Sequence, residues 1–333
     1  MTRTILAMLA CSVLSCAQSS SSSVTGSYKF ITPQTSQGME EVATIVRSVA
    51  SVPQVSVDTS TATLTFIGPA EAVNFAEWIL PQVDKTAGDS GLHEYRLPSG
   101  DIGRVGFLSN VQTAQSVQQL LSIVRVVADV QKILILTSNH AIVLRGHDWV
   151  VAFAEWIIGQ IDQSIQQKAD PTPREFTVGG PDFRGGLGHG ACLMFLTNIT
   201  AQKQMMQVLQ VLRTVDDVSK VFSYAASHAV VFRAGDVDFQ RAEWLIKELD
   251  ATMGHPPGTT TFTAPAGDDV TKDFYLGNAT DEWVQSAVTS IGSEFKIRKI
   301  FYTTAPANIV VRGTADQIAA ATAWMTSHNA LVE

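Results

Sequence analysis

Residues 242–250, AEWLIKELD, decide how this chain reads. Their Ala-Glu-Trp recurs as Ala76-Glu77-Trp78 and Ala154-Glu155-Trp156, and in altered form as Thr322-Ala323-Trp324. The four tryptophans are 78, 88 and 80 residues apart, and self-similarity at a long, nearly fixed period marks a tandem array. Stepping about 100° per residue around the helix implied by AEWLIKELD gathers Phe239, Ala242, Leu245, Ile246 and Leu249 on one face. The same offsets one copy earlier give Val151, Ala154, Ile157, Ile158 and Ile161. That face is the expected core side, and Trp244 points about 160° away from it.

Upstream of each tryptophan helix lie two β-rich runs joined by a short polar turn: KILILTS with AIVLRG, KVFSYAA with AVVFRAG, and KIRKIFYTT with NIVVRG. The second run of each pair ends at Arg145, Arg233 or Arg312, followed by a small residue that stops the strand. Before these runs comes a helical pattern, clearest as Val117, Leu120, Leu121, Val124, Val127 and Ala128. Before that, Phe107-Leu108-Ser109-Asn110, Phe195-Leu196-Thr197-Asn198 and Tyr275-Leu276-Gly277-Asn278 each end a strand-like run as aromatic-Leu-x-Asn. The final helices close on Asp84, Asp162 or Asp250, six residues beyond the tryptophan.

Each unit therefore reads strand, helix, strand, strand, helix. The fold class expected is α+β: four tandem βαββα modules, each a small sheet packed by two helices. The boundaries expected are an export signal at 1–17, a serine-rich linker at 18–27, and repeats at 28–85, 92–163, 173–251 and 259–330. The first repeat is degenerate, lacking both the aromatic-Leu-x-Asn landmark and the arginine before Gly68. The joints, around 84–92, 163–173 and 251–260, are polar and unpatterned. Modules this small are marginal alone, so neighbours are expected to stabilise one another.

This combination resembles the short periplasmic N-terminal domains of secretins, the outer-membrane ring proteins of bacterial secretion and pilus systems. The resemblance rests on the aromatic-Leu-x-Asn strand end, on hairpins closing like Ile309-Val310-Val311-Arg312-Gly313, and on the Ala-Glu-x-Leu-Ile-Lys-x-Leu-Asp form of residues 242–250. It implies a ring-building module that associates laterally with copies of itself and carries no catalytic residues. No stretch after the repeats, up to Glu333, reads as a membrane-spanning β-domain, so the expectation is a module without a pore. The family's usual residue at the tryptophan position is polar, which makes these indoles a departure.

Composition fits an exported globular protein. With 333 residues, 45% hydrophobic and 16% charged, the chain can bury a substantial core. Its net charge of −8 and lack of a Lys/Arg cluster argue against nucleic acid as a partner. The leading MTRTILAMLACSVLSCAQSSSSS carries Arg3, an apolar run from Ile5 to Leu14 and small residues, the form of an export signal too short to span a bilayer. Two processing routes stay open: cleavage after Ala17, or lipidation at Cys16 in a loose lipobox. A membrane enters only through that lipid anchor, and the expected location is periplasmic or extracellular.

Candidate chemistry is sparse. GGPDFRGGLGHGACL, residues 179–193, offers glycines, Asp182, Arg184, His189 and Cys192, but it runs into a strand where a phosphate cradle needs a helix N-terminus. His189 and Cys192 lack a second pair of ligands, so no metal and no cofactor are expected. Cys192 reads as a small core residue on a strand, with a reactive or intermolecular thiol as the alternative. His140 and His228 occupy matching hairpin turns and read as solvated turn residues. Asn198 and Asn278 fit glycosylation sequons, yet both fall at the turn where Asn110 stands without one. No nucleophile elbow, zinc helix or paired Cys-x-x-Cys appears, and the chain reads as a non-enzyme.

The candidate interaction face is therefore aromatic: Trp78, Trp149, Trp156, Trp244 and Trp324. Either the indoles lie over a linker or the adjacent repeat, or they form a row of anchors for another protein, a second copy of this chain, or a glycan.

Overall fold

The computed structural model describes residues 23–85, 91–164, 170, 172–177, 190–251, 259–265, 269–277 and 279–328. The first module comprises β1 (Ser23–Lys29), α1 (Ser36–Ser48), β2 (Gln54–Asp58), β3 (Thr63–Pro69) and α2 (Ala70–Val83), with sheet order β1-β3-β2. The second has β4 (His93–Arg96), β5 (Ile102–Phe107), α3 (Ala114–Val127), β6 (Lys132–Ile135), β7 (Ala141–Gly146) and α4 (Asp148–Ile161), in the order β4-β5-β7-β6. The third repeats this as β8 (Arg174–Thr177), β9 (Gly190–Phe195), α5 (Gln202–Thr214), β10 (Lys220–Tyr224), β11 (Ala229–Ala234) and α6 (Asp236–Ala251). The fourth has β12 (Thr259–Thr263), β13 (Val270–Tyr275), α7 (Asp281–Glu294), β14 (Lys299–Thr304), β15 (Ala307–Gly313) and α8 (Ala315–Ser327).

The four α+β modules are as expected, with two corrections. Modules two to four each gain an antiparallel edge strand, β4, β8 or β12, ahead of the βαββα unit. These strands are four or five residues long, and the short alternation of HEYR or REFT is lost among polar joint residues. In addition, Ser23–Ser27, assigned to a linker, belong to β1 and pair with β3 from Ser23↔Pro69 to Lys29↔Thr63. The serines hide a strand whose helix-facing positions are Val24, Gly26 and Tyr28. A Cβ on Gly26 would lie 2.3 Å from Phe66 Cε2, so the ring needs that glycine.

The expected hairpins form as β6–β7, β10–β11 and β14–β15. Their central strands are apolar on both faces because both faces are covered. In β7, Ile142 and Leu144 join the core under the module's own helices, whereas Ala141 and Val143 join the core of module one. In β11, Val230 and Phe232 face inward while Ala229 and Val231 pack with module two. In β15, Ile309 and Val311 face inward and Val310 packs with module three. Modules thus stack, the helical layer of one lying on the sheet of the next.

The aspartates that end the tryptophan helices bind the start of their own module. The Asp162 carboxylate accepts from the backbone N–H groups of Ser109, Asn110 and Val111 at 2.7, 2.7 and 2.9 Å, while Asn110 Nδ2 donates to the Asp162 carbonyl. Asp250 does the same with Thr197, Asn198 and Ile199. Asn198 Nδ2 returns a bond to the Asp250 carbonyl, which accounts for that residue as a turn clasp. Asn278 lies outside the described residues. Asp84 accepts from Ile31 N, Thr32 N and Tyr28 Oη, so module one keeps the clasp without the aromatic-Leu-x-Asn motif. Replacing Asp162 by alanine strands three donors and is expected to cost about 2 kcal/mol; a denaturation midpoint unchanged from wild type would contradict this.

Candidate interaction surfaces

Three polar and aromatic contacts recur at the joints. The first comes from the residue six positions after the N-cap of each leading helix. Glu41 accepts from Thr137 N at 3.0 Å, Gln119 from Ala225 N at 3.1 Å and Gln207 from Thr304 N at 3.3 Å, each gripping the hairpin turn of the next module. The second comes from a left-handed residue after that helix: Ser51, Asp129 and Asp217, with φ of 62°, 62° and 60°. It meets a cross-strand Lys–Arg pair of the following sheet, Lys132↔Arg145, Lys220↔Arg233 or Lys299↔Arg312. Lys132 donates to Ser51 at 2.8 Å, Lys220 and Arg233 both bind Asp129, and Lys299 and Arg312 both bind Asp217. Partial burial raises the Asp129 pKa, and the two cations outweigh it and hold the carboxyl below its usual range.

The third contact answers the question posed by the tryptophans. Trp78, Trp156 and Trp244 are half-buried, and each ring meets an aromatic on the added edge strand of the next module. The ring centroids lie 5.3 Å apart for Trp78–Tyr95, 5.4 Å for Trp156–Phe176 and 5.6 Å for Trp244–Phe262. Phe75 and Phe153 complete aromatic triads at the first two joints. Trp149 is also half-buried and packs against the core of module two. Trp324 meets residues of its own module, Trp283 at 6.4 Å and the ring of His328 at 3.9 Å. In modules one to three the tryptophan face pointing away from the module's own helical core is thus shared with the next module.

The third joint differs from the first two. Arg241 stands where α2 and α4 have Phe75 and Phe153, lies over Phe262 at 5.8 Å, and is 1% exposed. It donates to Asp216 at 2.7 Å, to Asp238 at 3.1 Å and to Asp269 at 3.3 Å, and Asp269 also takes Arg312 at 2.6 Å. On the sheet face turned toward module three, Asp273 replaces the Val105 and Leu193 of the other sheets. Asn308 likewise replaces Ala141 and Ala229. Asp273 is 2% exposed and accepts from Asn308 Nδ2 at 3.1 Å. Burial and then the Glu248 charge push its pKa up to about 8.

The two ends of the stack lack these features. The outer face of the first sheet carries Thr25, Ser27, Thr65, Gln54 and Ser56, with Gln54↔Ile67 where later modules have Lys–Arg. At the other end, Ser286 occupies the position of Glu41, Gln119 and Gln207, and Lys296 (φ 56°) the position of Asp129 and Asp217.

A hollow of about 770 Å³ beside α8 is lined mainly by small residues, with Lys272 as its charged member. Another of about 220 Å³ in module two holds Arg104 and Glu155, which pair with each other. Among the described residues no group of His, Cys, Asp and Glu could hold a metal, and no helix is long and apolar enough to cross a membrane. Cys192 is buried in β9, where desolvation pushes its thiol pKa up, as suits a core residue. Of the glycine-rich candidate stretch, Asp182, Arg184 and His189 lie outside the described residues, as does Cys16. His140 and His228 are half-buried left-handed turn residues whose carbonyls accept from Leu108 N and Leu196 N, a structural post rather than a solvated one.

No protein-family model and no curated protein matches the sequence. Among solved structures, the chain is similar to the ETEC pilotin–secretin AspS–GspD complex at 14% identity, covering 91% of this chain and 54% of that one, with a TM-score of 0.17. It is similar to Aeromonas hydrophila ExeD at 13% identity, covering 89% and 60%, with a TM-score of 0.17. An aspartate kinase from Synechocystis reaches 10% identity, 92% and 54% coverage, and 0.19. A secretin and a kinase score alike at this level, so these superpositions carry no argument. The chain spans 54 to 60% of the length of the two secretion-related chains.

The sequence reading missed the grips by Glu41, Gln119 and Gln207 and the left-handed acids. Their signal, a constant offset from each helix start, becomes visible only once the helix starts are fixed. Trp156→Ala should remove about 2–3 kcal/mol by opening the contact with Phe153 and Phe176; an unshifted melting temperature would show that the ring contributes nothing to the joint. An aspartate whose folded pKa exceeds its unfolded value of roughly 3.9 makes stability fall as pH rises between the two. The wild-type melting temperature should therefore drop from pH 5 to pH 8 relative to Asp273→Asn, and parallel curves would refute a protonated Asp273.

Proposed function

We propose that this chain is an exported, non-catalytic assembly module of a bacterial envelope: a rigid stack that presents surfaces to other proteins or to copies of itself. The observation that supports this best is the repeated joint. The same grip and aromatic contact hold modules in register at all three joints, and an acid bound by a Lys–Arg pair does so at two of them. The likeness of the sequence motifs to secretin N-terminal domains points the same way. Half-buried, tilted indoles already facing Tyr95, Phe176 and Phe262 favour protein packing over a sugar-binding platform. Export follows from the leading segment, by either cleavage after Ala17 or lipidation at Cys16.

Photo-crosslinkers at the exposed Ser56 and Thr289, on opposite ends of the stack, test the proposal in the native envelope. Discrete protein adducts, including self-adducts, are expected from at least one end. Absence of protein adducts from both, in a chain that fractionates with the cytoplasm, would overturn it.

A further inference from the structure

Among the described residues the first sheet has three strands where the others have four, and no described strand lies beside β1. β1 is also the longest edge strand among the described residues, seven residues against four to six for β2, β4, β6, β8, β10, β12 and β14. Its open side can be assigned. Phe30 N–H donates to Ala62 O at 3.0 Å. Stepping by two through the continuous register turns the backbone groups of residues 24, 26 and 28 toward β3. Ser23, Thr25, Ser27 and Lys29 therefore aim their N–H and C=O groups outward. Proteins usually blunt such an edge with proline, a bulge, shortness or inward charge. Here there is no proline and no bulge, and the single charge, Lys29, sits at the strand end.

We propose that a second copy of this chain pairs with it, β1 against β1 in antiparallel register about a two-fold axis at Gly26. That register alone overlaps all seven residues while keeping outward groups opposite outward groups. It places Gly26 opposite Gly26, Val24 opposite Tyr28, Thr25 opposite Ser27 and Ser23 opposite Lys29. Val24, 38% exposed, gains an aromatic neighbour on the helix-facing side. The hydroxyls of Thr25 and Ser27 meet on the polar side, and both pair types favour strand association. Gly26, kept small by Phe66, lets the strands approach at the axis. The product is a six-stranded sheet, β2-β3-β1-β1-β3-β2, with the isologous symmetry that closes at two copies. The polar outer face then continues across both chains.

This pairing rests on the assembly reading and specifies its self-associating surface. Sedimentation equilibrium on the purified mature chain is expected to give a dimer. Thr25→Pro removes an outward donor and spares the β3 ladder, so it should raise the dimer dissociation constant by roughly tenfold or more with the melting temperature of the stack retained. Val24→Lys, an inward-pointing edge charge, should do the same and decides the matter if the proline variant fails to fold. A strict monomer at about 100 µM would overturn the pairing, while heterologous partners remain for the crosslinking experiment to find. A dimer that survives both variants would also overturn it, yet would leave the assembly reading standing on another surface.

Discussion

Val143, Val231 and Val310 sit at the centres of β7, β11 and β15 with 0% of their surface exposed, each covered by the module before it rather than by its own helices. A small sheet with one face on its own helices would leave the other face wet, and modules of this size bury too little surface to be stable that way. Stacking removes the second face from water. It also makes stability a sum of modules and shared interfaces, the behaviour of a short solenoid.

Once both sheet faces are dry, polar groups are pushed to the rim of each joint and must be matched there. The cross-strand Lys–Arg pairs meet Asp129 and Asp217 because a left-handed residue after the leading helix aims its side chain at the next sheet. The Asp84, Asp162 and Asp250 clasps work inside modules one to three, tying the end of the last helix to the turn before the first. The first two joints are then sealed by aromatic triads. The third exchanges a phenylalanine for Arg241 and a valine for Asp273, and so carries buried polar groups where the others carry oil. Burial pushes the Asp273 pKa up at this joint, whereas paired cations hold that of Asp129 down at the second.

The two ends of the described stack differ from its internal joints. The polar outer face of the first sheet and the last helical layer, bearing Ser286 and Lys296, do not repeat the contacts made at the internal joints.

Much of this was legible in the residues. The period of the tryptophans, the core face of each final helix, the paired β-runs and the α+β class follow from local periodicity, because a side chain's direction on a helix or strand is fixed by the backbone repeat. The sequence also showed that the indoles point away from the modules' own cores. What covers them, and why Asp162 and Asp250 end their helices, depends on groups about 20 and 50 residues away, outside any local pattern. The strands β4, β8 and β12 and the start of β1 stayed hidden because an edge strand of mixed polarity forms only when a neighbouring sheet offers it hydrogen bonds. Tertiary structure alone decided that the outer face of one module is the inner face of the next, since burial on that side is created by the neighbour.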